Sequence, residues 1–179
     1  MAQRRPKQLD EAALADYALR ALSGRAHSVS ELREKLRRRA ERAADVEEVL
    51  SNLKRQGYLD DRKFAESFAA SRLGNEGFGR LRVLRDLRQK RVASSVAENA
   101  VGAAYLEVDE LQLIESFLER KYRRIDLKTY LAEPRHLASA YRKLRLAGFS
   151  SGSVIRALKR HASEADALDS LEEEEATDR

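Results

Sequence analysis

The sequence predicts an all-α protein: three tandem three-helix, helix-turn-helix-like repeats in an elongated, curved array. Three observations carry that prediction. Charged residues make up 36% of the 179 and hydrophobic ones 42%, with two Pro and no Trp, the profile of a helix-rich chain with a modest core. β-branched residues are sparse and no stretch alternates with period two, so no strand is expected. The third observation is a repeat. Leu9-Asp10, Leu59-Asp60 and Val108-Asp109 are each followed by an apolar residue four places after the Asp (Leu14, Phe64 and Leu113), and the Asp residues are spaced 60 − 10 = 50 and 109 − 60 = 49 apart. A period near fifty marks one supersecondary unit per copy, too small to bury much alone and therefore stacked on its neighbours.

In chain order, residues 1–8 read as a flexible basic arm, followed by repeats over 9–58, 59–107 and 108–162. Each Asp suits the N-cap of a first helix, with the flanking apolar residues at the N′ and N4 positions of a hydrophobic staple. The first repeat is expected to hold helices over Asp10–Ser23, Ser28–Arg39 and Asp45–Gln56, and the second over Asp60–Leu73, Gly79–Lys90 and Ser95–Tyr105. In the third they fall at Asp109–Arg123, Pro134–Ala147 and Ser151–His161. Ser28-x-x-Glu31, Asp45-x-x-Glu48 and Ser95-x-x-Glu98 have capping-box spacing. Leu36, Leu87 and Leu144 anchor the basic second helices. Ten and fourteen residues after each stand Val46 and Leu50, Ala97 and Val101, and Val154 and Leu158, pairs that share one face of the third helix. The third repeat carries extra residues, Arg124 to Glu133, before Pro134, which suits the first helical position. Residues 163–179 hold Glu172-Glu173-Glu174-Glu175 and little to bury, and are expected to be a disordered acidic tail.

The first two repeats meet at a turn whose caps are both legible. Gly57 suits the left-handed C′ position of a Schellman end, with Tyr58 folding back onto Leu53; Leu59, Asp60 and Phe64 then supply N′, N-cap and N4 of the next helix. Asp60-Asp61 therefore reads as capping rather than as a metal site. In Gly74-Asn75-Glu76-Gly77-Phe78-Gly79 no Lys-Ser/Thr pair follows, so a phosphate-cradling loop is not expected. It reads as an interhelix turn in which Gly74 ends one helix and Phe78 packs against the next.

Composition excludes several function classes. There is no Cys, and His27, His136 and His161 show no ligand spacing, so neither a metal nor another cofactor is expected. No catalytic template is present, which argues against an enzyme. The start lacks an apolar signal segment and no run is long enough to span a bilayer, so a cytoplasmic location without membrane contact is expected. Net charge is +5; with eight acidic and one basic residue from Glu164 to Arg179, the remainder carries (35 − 1) − (30 − 8) = +12. That balance fits a polyanionic or acidic partner.

Gly57-Tyr58-Leu59-Asp60-Asp61 with Phe64-Ala65 resembles the signature of the RecX family, bacterial regulators of the RecA recombinase. Ser30-Glu31-Leu32 with Lys35-Leu36, Arg72 with Gly77, Gly79, Leu81 and Leu84, and Lys143-Leu144 with Gly148-Phe149 extend the resemblance over Leu14 to Arg160. It implies tandem three-helix repeats, a role in DNA recombination, repair and the SOS response, and binding in the groove of the RecA–single-stranded DNA filament. Such binding restrains ATPase, strand exchange and filament growth without chemistry of the binder's own. Family members commonly have Gly before the apolar residue that ends the second helix, as in Gly148-Phe149. Arg91-Val92 and Ala40-Glu41 depart from this, so looser turns or longer helices are expected there.

Contacts to the filament or to nucleic acid are assigned to Arg33, Arg37, Arg38, Arg80, Arg85, Arg88, Arg142 and Arg145. Arg37, Arg88 and Arg145 each follow the anchor Leu directly, about 100° around the helix from it, and are expected to be exposed. The chain is expected to act as a monomer and to bind bare single-stranded DNA weakly, in a salt-dependent manner. The alternative is a helix-turn-helix regulator reading duplex DNA with one recognition helix.

Overall fold

The structure, a computed structural model, describes residues 8–162; nearly all of the basic arm and the whole acidic tail lie outside the described residues. The helices are α1 (Glu11–Gly24), α2 (Val29–Arg37), α3 (Ala43–Arg55), α4 (Asp61–Ser71), α5 (Arg80–Gln89), α6 (Ser94–Ala104), α7 (Glu110–Lys121), α8 (Leu127–Leu131), α9 (Pro134–Leu146) and α10 (Ser151–Lys159). The fold is all-α. Among the described residues the only β pairing is an isolated parallel bridge between Leu9 and Ala40.

Burial follows the repeat more closely than the Asp caps do. Leu14, Ala18, Leu32, Leu36, Val46, Val49 and Leu50 are buried, and so is every residue 51 places later: Ala65, Ala69, Val83, Leu87, Ala97, Ala100 and Val101. From there the first-helix positions recur after 49 residues, at Ile114 and Leu118, and the rest after 57, at Ala140, Leu144, Val154, Ala157 and Leu158. The difference, 57 − 49 = 8 residues, is the insertion that holds α8. The cap moves by one place within this register, because Asp10 corresponds to Asp61 while Asp60 does the capping.

Of the described residues, those up to Phe68 together with Asp86–Ala100 form one compact unit, and Ala69–Arg85 with those from Val101 onward form the other. In the first, α1 and α2 pack on α3 around Leu14, Leu32, Leu36, Val46, Leu50 and Leu53. In the second, α7 and α9 pack on α10 around Ile114, Leu118, Leu144, Phe149, Val154 and Leu158. The Phe117 ring meets Phe149 edge-on at 5.6 Å.

Several local expectations are corrected. Asp45 is not an N-cap: α3 starts at Ala43, with Arg42 as a cap residue lacking a side-chain bond. Ala43 and Ala44 are strong helix formers that extend the helix upstream. Asp45 is thereby buried in the first turn, where it pairs with Arg42 at 2.8 Å. Ser95 is likewise inside the first turn of α6, because the Ala97 N–H bonds the Ala93 carbonyl at 3.0 Å. Gly77 rather than Gly74 ends the α4 segment. After α4 the chain runs through a π-helical turn, Arg72–Glu76, and Gly77 takes the left-handed conformation at φ 60°. Phe78 does pack against the next helix, under the Arg82 guanidinium at 4.8 Å.

The turn after α5 is not looser than its glycine counterpart. Arg91 adopts φ 55°, the Arg91 N–H bonds the Arg88 carbonyl at 2.8 Å, and the Val92 N–H bonds the Leu87 carbonyl at 3.2 Å. Gly148, 148 − 91 = 57 residues on, and Phe149 after it make the same pair of bonds, to the Arg145 and Leu144 carbonyls at 3.0 and 3.3 Å. A non-glycine residue thus accepts the left-handed strain, and the Schellman geometry is kept.

Candidate functional site

The turn between α3 and α4 is built as its residues dictate. Gly57 sits at φ 76°; its N–H bonds the Lys54 carbonyl at 3.0 Å and the Tyr58 N–H bonds the Leu53 carbonyl at 3.0 Å, a complete Schellman pair. The Tyr58 ring, expected against Leu53, is instead 61% exposed, and Leu59 is the residue buried with Leu53. The Leu59 N–H also reaches the Leu53 carbonyl, at 3.2 Å, so the chain turns one residue later and carries Leu59 inward. Asp60 accepts from the Arg62 and Lys63 N–H groups at 2.8 and 3.3 Å. Phe64 is buried and stacks on Phe68 at 5.8 Å, beneath the Lys90 ammonium. Asp61 acts elsewhere. Its carboxylate accepts the Val29 N–H at 2.8 Å, a free donor of the first turn of α2.

That bond belongs to a junction which sequence reasoning missed. Ser28 caps α2 in a full capping box with Glu31, and its Oγ donates to the Lys90 carbonyl at 2.8 Å. The C-terminal end of basic helix α5 therefore meets the N-terminal end of basic helix α2. Glu31 joins the two ends again by accepting from Lys90 Nζ at 2.8 Å. Burial pushes the Glu31 carboxyl up, but the bonds from Lys90, the Ser28 N–H and Arg25 outweigh it and leave it below the ordinary carboxylate value.

The second unit contains the equivalent joint. Gly79 stands 79 − 28 = 51 residues after Ser28, and its N–H bonds the Ala147 carbonyl at 2.8 Å, while the Leu81 N–H bonds the Gly148 carbonyl at 3.0 Å. Here backbone touches backbone: a Cβ on Gly79 would lie 2.3 Å from the Gly148 carbonyl, and one on Gly148 would lie 2.2 Å from the Arg82 nitrogen. The signal was present in the spacing, which aligns Ser28 with Gly79 and Arg91 with Gly148. It could not be read until burial had fixed the register.

The eight assigned arginines divide into two sets. Arg80, Arg85, Arg88 and Arg142 are exposed and have no carboxylate partner among the described residues. The others are engaged. Arg33 grips Glu47 with two bonds, at 2.9 and 3.1 Å, and Arg37 approaches the same carboxylate at 3.8 Å. Arg38 pairs with Glu34 at 3.1 Å. Arg145, expected to be exposed, is half-buried and donates to the Phe149 carbonyl at 2.6 Å. The left-handed turn at Gly148 folds that carbonyl back over the end of α9, within reach of a side chain four residues earlier. Arg37, Arg88 and Arg145 thus share a helical position without sharing an environment.

Within either unit, exposed guanidinium groups of this kind can attract anionic groups. Among the described residues no group of three or more His, Cys, Asp or Glu is arranged to hold a metal ion, and no helix is long and apolar enough to cross a membrane.

Comparison with known proteins identifies the family. The regulatory protein RecX of Deinococcus radiodurans is 37% identical over 172 residues, 95% of this chain and 79% of that protein. This chain belongs to the RecX family. Residues 16–53 match the first three-helix domain of RecX and residues 60–101 the second. The RecX of Vibrio vulnificus is 33% identical over 147 residues, 82% of this chain and 92% of that one. The crystal structure of RecX from Lactobacillus salivarius superposes with a TM-score of 0.62 at 17% identity, over 84% of this chain and 95% of that one. A second crystal structure of a regulatory protein RecX gives 0.64 at 24% identity, over 84% and 71%. These two similarities show a shared RecX fold, and the sequence relatives show a RecX-type regulator.

Proposed function

We propose that this RecX family member modulates the RecA recombinase by binding the groove of the RecA–single-stranded DNA filament. In this reading it inhibits: it restrains ATP turnover, strand exchange and filament growth and carries out no chemistry. The observation that carries the reading is the recurrence of basic second helices. Exposed Arg80, Arg85, Arg88 and Arg142 stand on α5 and α9, and Arg33, Arg37 and Arg38 extend the same charge along α2. A repeating ligand is matched by repeating cations, whereas a duplex reader concentrates base contacts on one helix. Bare single-stranded DNA is then a weak ligand, the chain acts as a monomer in the cytoplasm, and residues 163–179 act as an acidic counterweight to the basic body.

The test is the single-stranded-DNA-dependent ATPase of the cognate RecA, measured with and without the protein. The expected result is a fall in turnover at substoichiometric ratios. An unchanged rate at stoichiometric ratios overturns the reading in favour of a duplex-DNA regulator.

A further inference from the structure

Tyr58 carries an aromatic ring that the fold does not use. It is 61% exposed and makes no hydrogen bond or ring contact among the described residues. Its backbone is nonetheless fixed. The Tyr58 and Leu59 N–H groups both bond the Leu53 carbonyl, at 3.0 and 3.2 Å, and Leu59 takes the buried place beside Leu53. The ring is therefore held outward by a turn that does not depend on it.

Its surroundings are basic. Lys54, Arg55 and Gln56 close α3 ahead of it, and Arg62 and Lys63 stand in the first turn of α4; all five are exposed. The two carboxylates of the segment are turned to backbone donors, Asp60 to the Arg62 and Lys63 N–H groups and Asp61 to the Val29 N–H. Arg62 pairs with Glu66 at 3.0 Å, and Arg55 bonds the Asn52 side chain. Lys54 and Lys63 make no ion pair among the described residues. The junction before α7 is capped in the same way without these residues. Counted from the capping Asp60 and Asp109, Glu107 stands in the place of Tyr58 and Gln112 in that of Lys63.

We propose that Tyr58 is a stacking platform for one base of single-stranded DNA, with Lys54 and Lys63 meeting the phosphates on either side of that base. Every base offers a π-face to an exposed aromatic ring, and cations beside the ring follow the backbone. A tyrosine on a fixed turn has two side-chain torsions to order on binding, so little entropy opposes the contact. A protein-binding patch would set further apolar side chains around the ring. Here every other exposed side chain from Lys54 to Lys63 is polar or charged. The choice of DNA rests on the filament reading proposed above; the platform itself does not.

The experiment uses the full chain and bare strands, without recombinase, at low salt. Fluorescence anisotropy compares a labelled oligothymidine with an abasic strand of the same length. Wild-type protein is expected to favour the oligothymidine, and Tyr58→Ala to weaken its binding roughly fivefold to a hundredfold while treating the two strands more nearly alike. Tyr58→Phe keeps the ring and is expected to keep the affinity. With six Tyr and no Trp in the chain, ultraviolet emission is tyrosine emission, and a base stacked on Tyr58 quenches it. That quenching should shrink in Tyr58→Phe although the strand is still bound. Undiminished quenching in Tyr58→Phe overturns the proposal, as does wild-type indifference to the bases. Unaltered affinity in Tyr58→Ala overturns it too and leaves the ring to a protein surface. A wild-type protein that binds neither strand also overturns it, while an inhibited RecA ATPase would leave the filament reading in place.

Discussion

At the residue scale, the energetics turn on a few backbone positions and two titrating groups. Arg91 holds φ 55° where its counterpart is Gly148, and a left-handed L-residue costs about 1–2 kcal/mol, partly offset by the greater chain entropy of glycine. Arg91→Gly is therefore expected to stabilise the protein by roughly 0.5–1 kcal/mol, read as a higher urea midpoint at unchanged slope. Gly57 and Gly79 test two different constraints. No atom lies within 4 Å of a Cβ placed on Gly57, so Gly57→Val is penalised through its φ of 76° alone, by about 1–2 kcal/mol. Gly79→Ala meets the Gly148 carbonyl at 2.3 Å and is expected to cost about 1–3 kcal/mol or more through forced backbone movement. Acid acts on the Ser28 joint from two sides. His27 titrates below its ordinary 6.5 in the folded protein, so stability present above that value falls as pH drops through it. Glu31 titrates below its ordinary 4.5, so its contribution is lost as pH falls further, through its folded value. Unfolding midpoints against pH should decline in two stages, and His27→Gln should flatten the upper one alone.

At the scale of the helix, what the sequence reveals depends on whether the signal is local. The caps at Asp10, Ser28, Asp60 and Asp109 were legible because a short polar side chain before an apolar run has few other uses. So was the burial of Val46, Ala97 and Val154, which follows from their distance to the anchor leucines. Asp45 and Ser95 carry the same spacing yet lie inside their helices, since neighbouring Ala43 and Ser94 let the helix begin earlier. The π-helical turn and α8 gave no periodic signal, being five residues each. The arginine assignment was legible in position but not in environment. Arg37→Ala and Arg88→Ala are expected to leave the thermal midpoint within about a degree or two. Arg145→Ala removes a donor from the Phe149 carbonyl and is expected to cost about 1 kcal/mol. Equal midpoints for all three would mean that the Arg145 bond contributes nothing.

At the scale of the whole chain, charge decides how any polyanion is met. Single-stranded DNA binding should weaken with salt at a slope of about −0.7 per phosphate contact, and fluorescence anisotropy across salt concentrations measures it. A salt-insensitive, sequence-specific duplex site would contradict distributed contacts. The order of the helices has a further consequence, for how the protein is made. Ser28 finds its carbonyl 62 residues downstream, and Gly79 finds its own 147 − 79 = 68 residues downstream. Pairings this distant close late, because the intervening chain must be ordered first. During synthesis, which runs from the N-terminus, α2 waits for the end of α5 and α5 waits for the end of α9. Each leaves the ribosome with its first turn still lacking the partner that the finished protein provides.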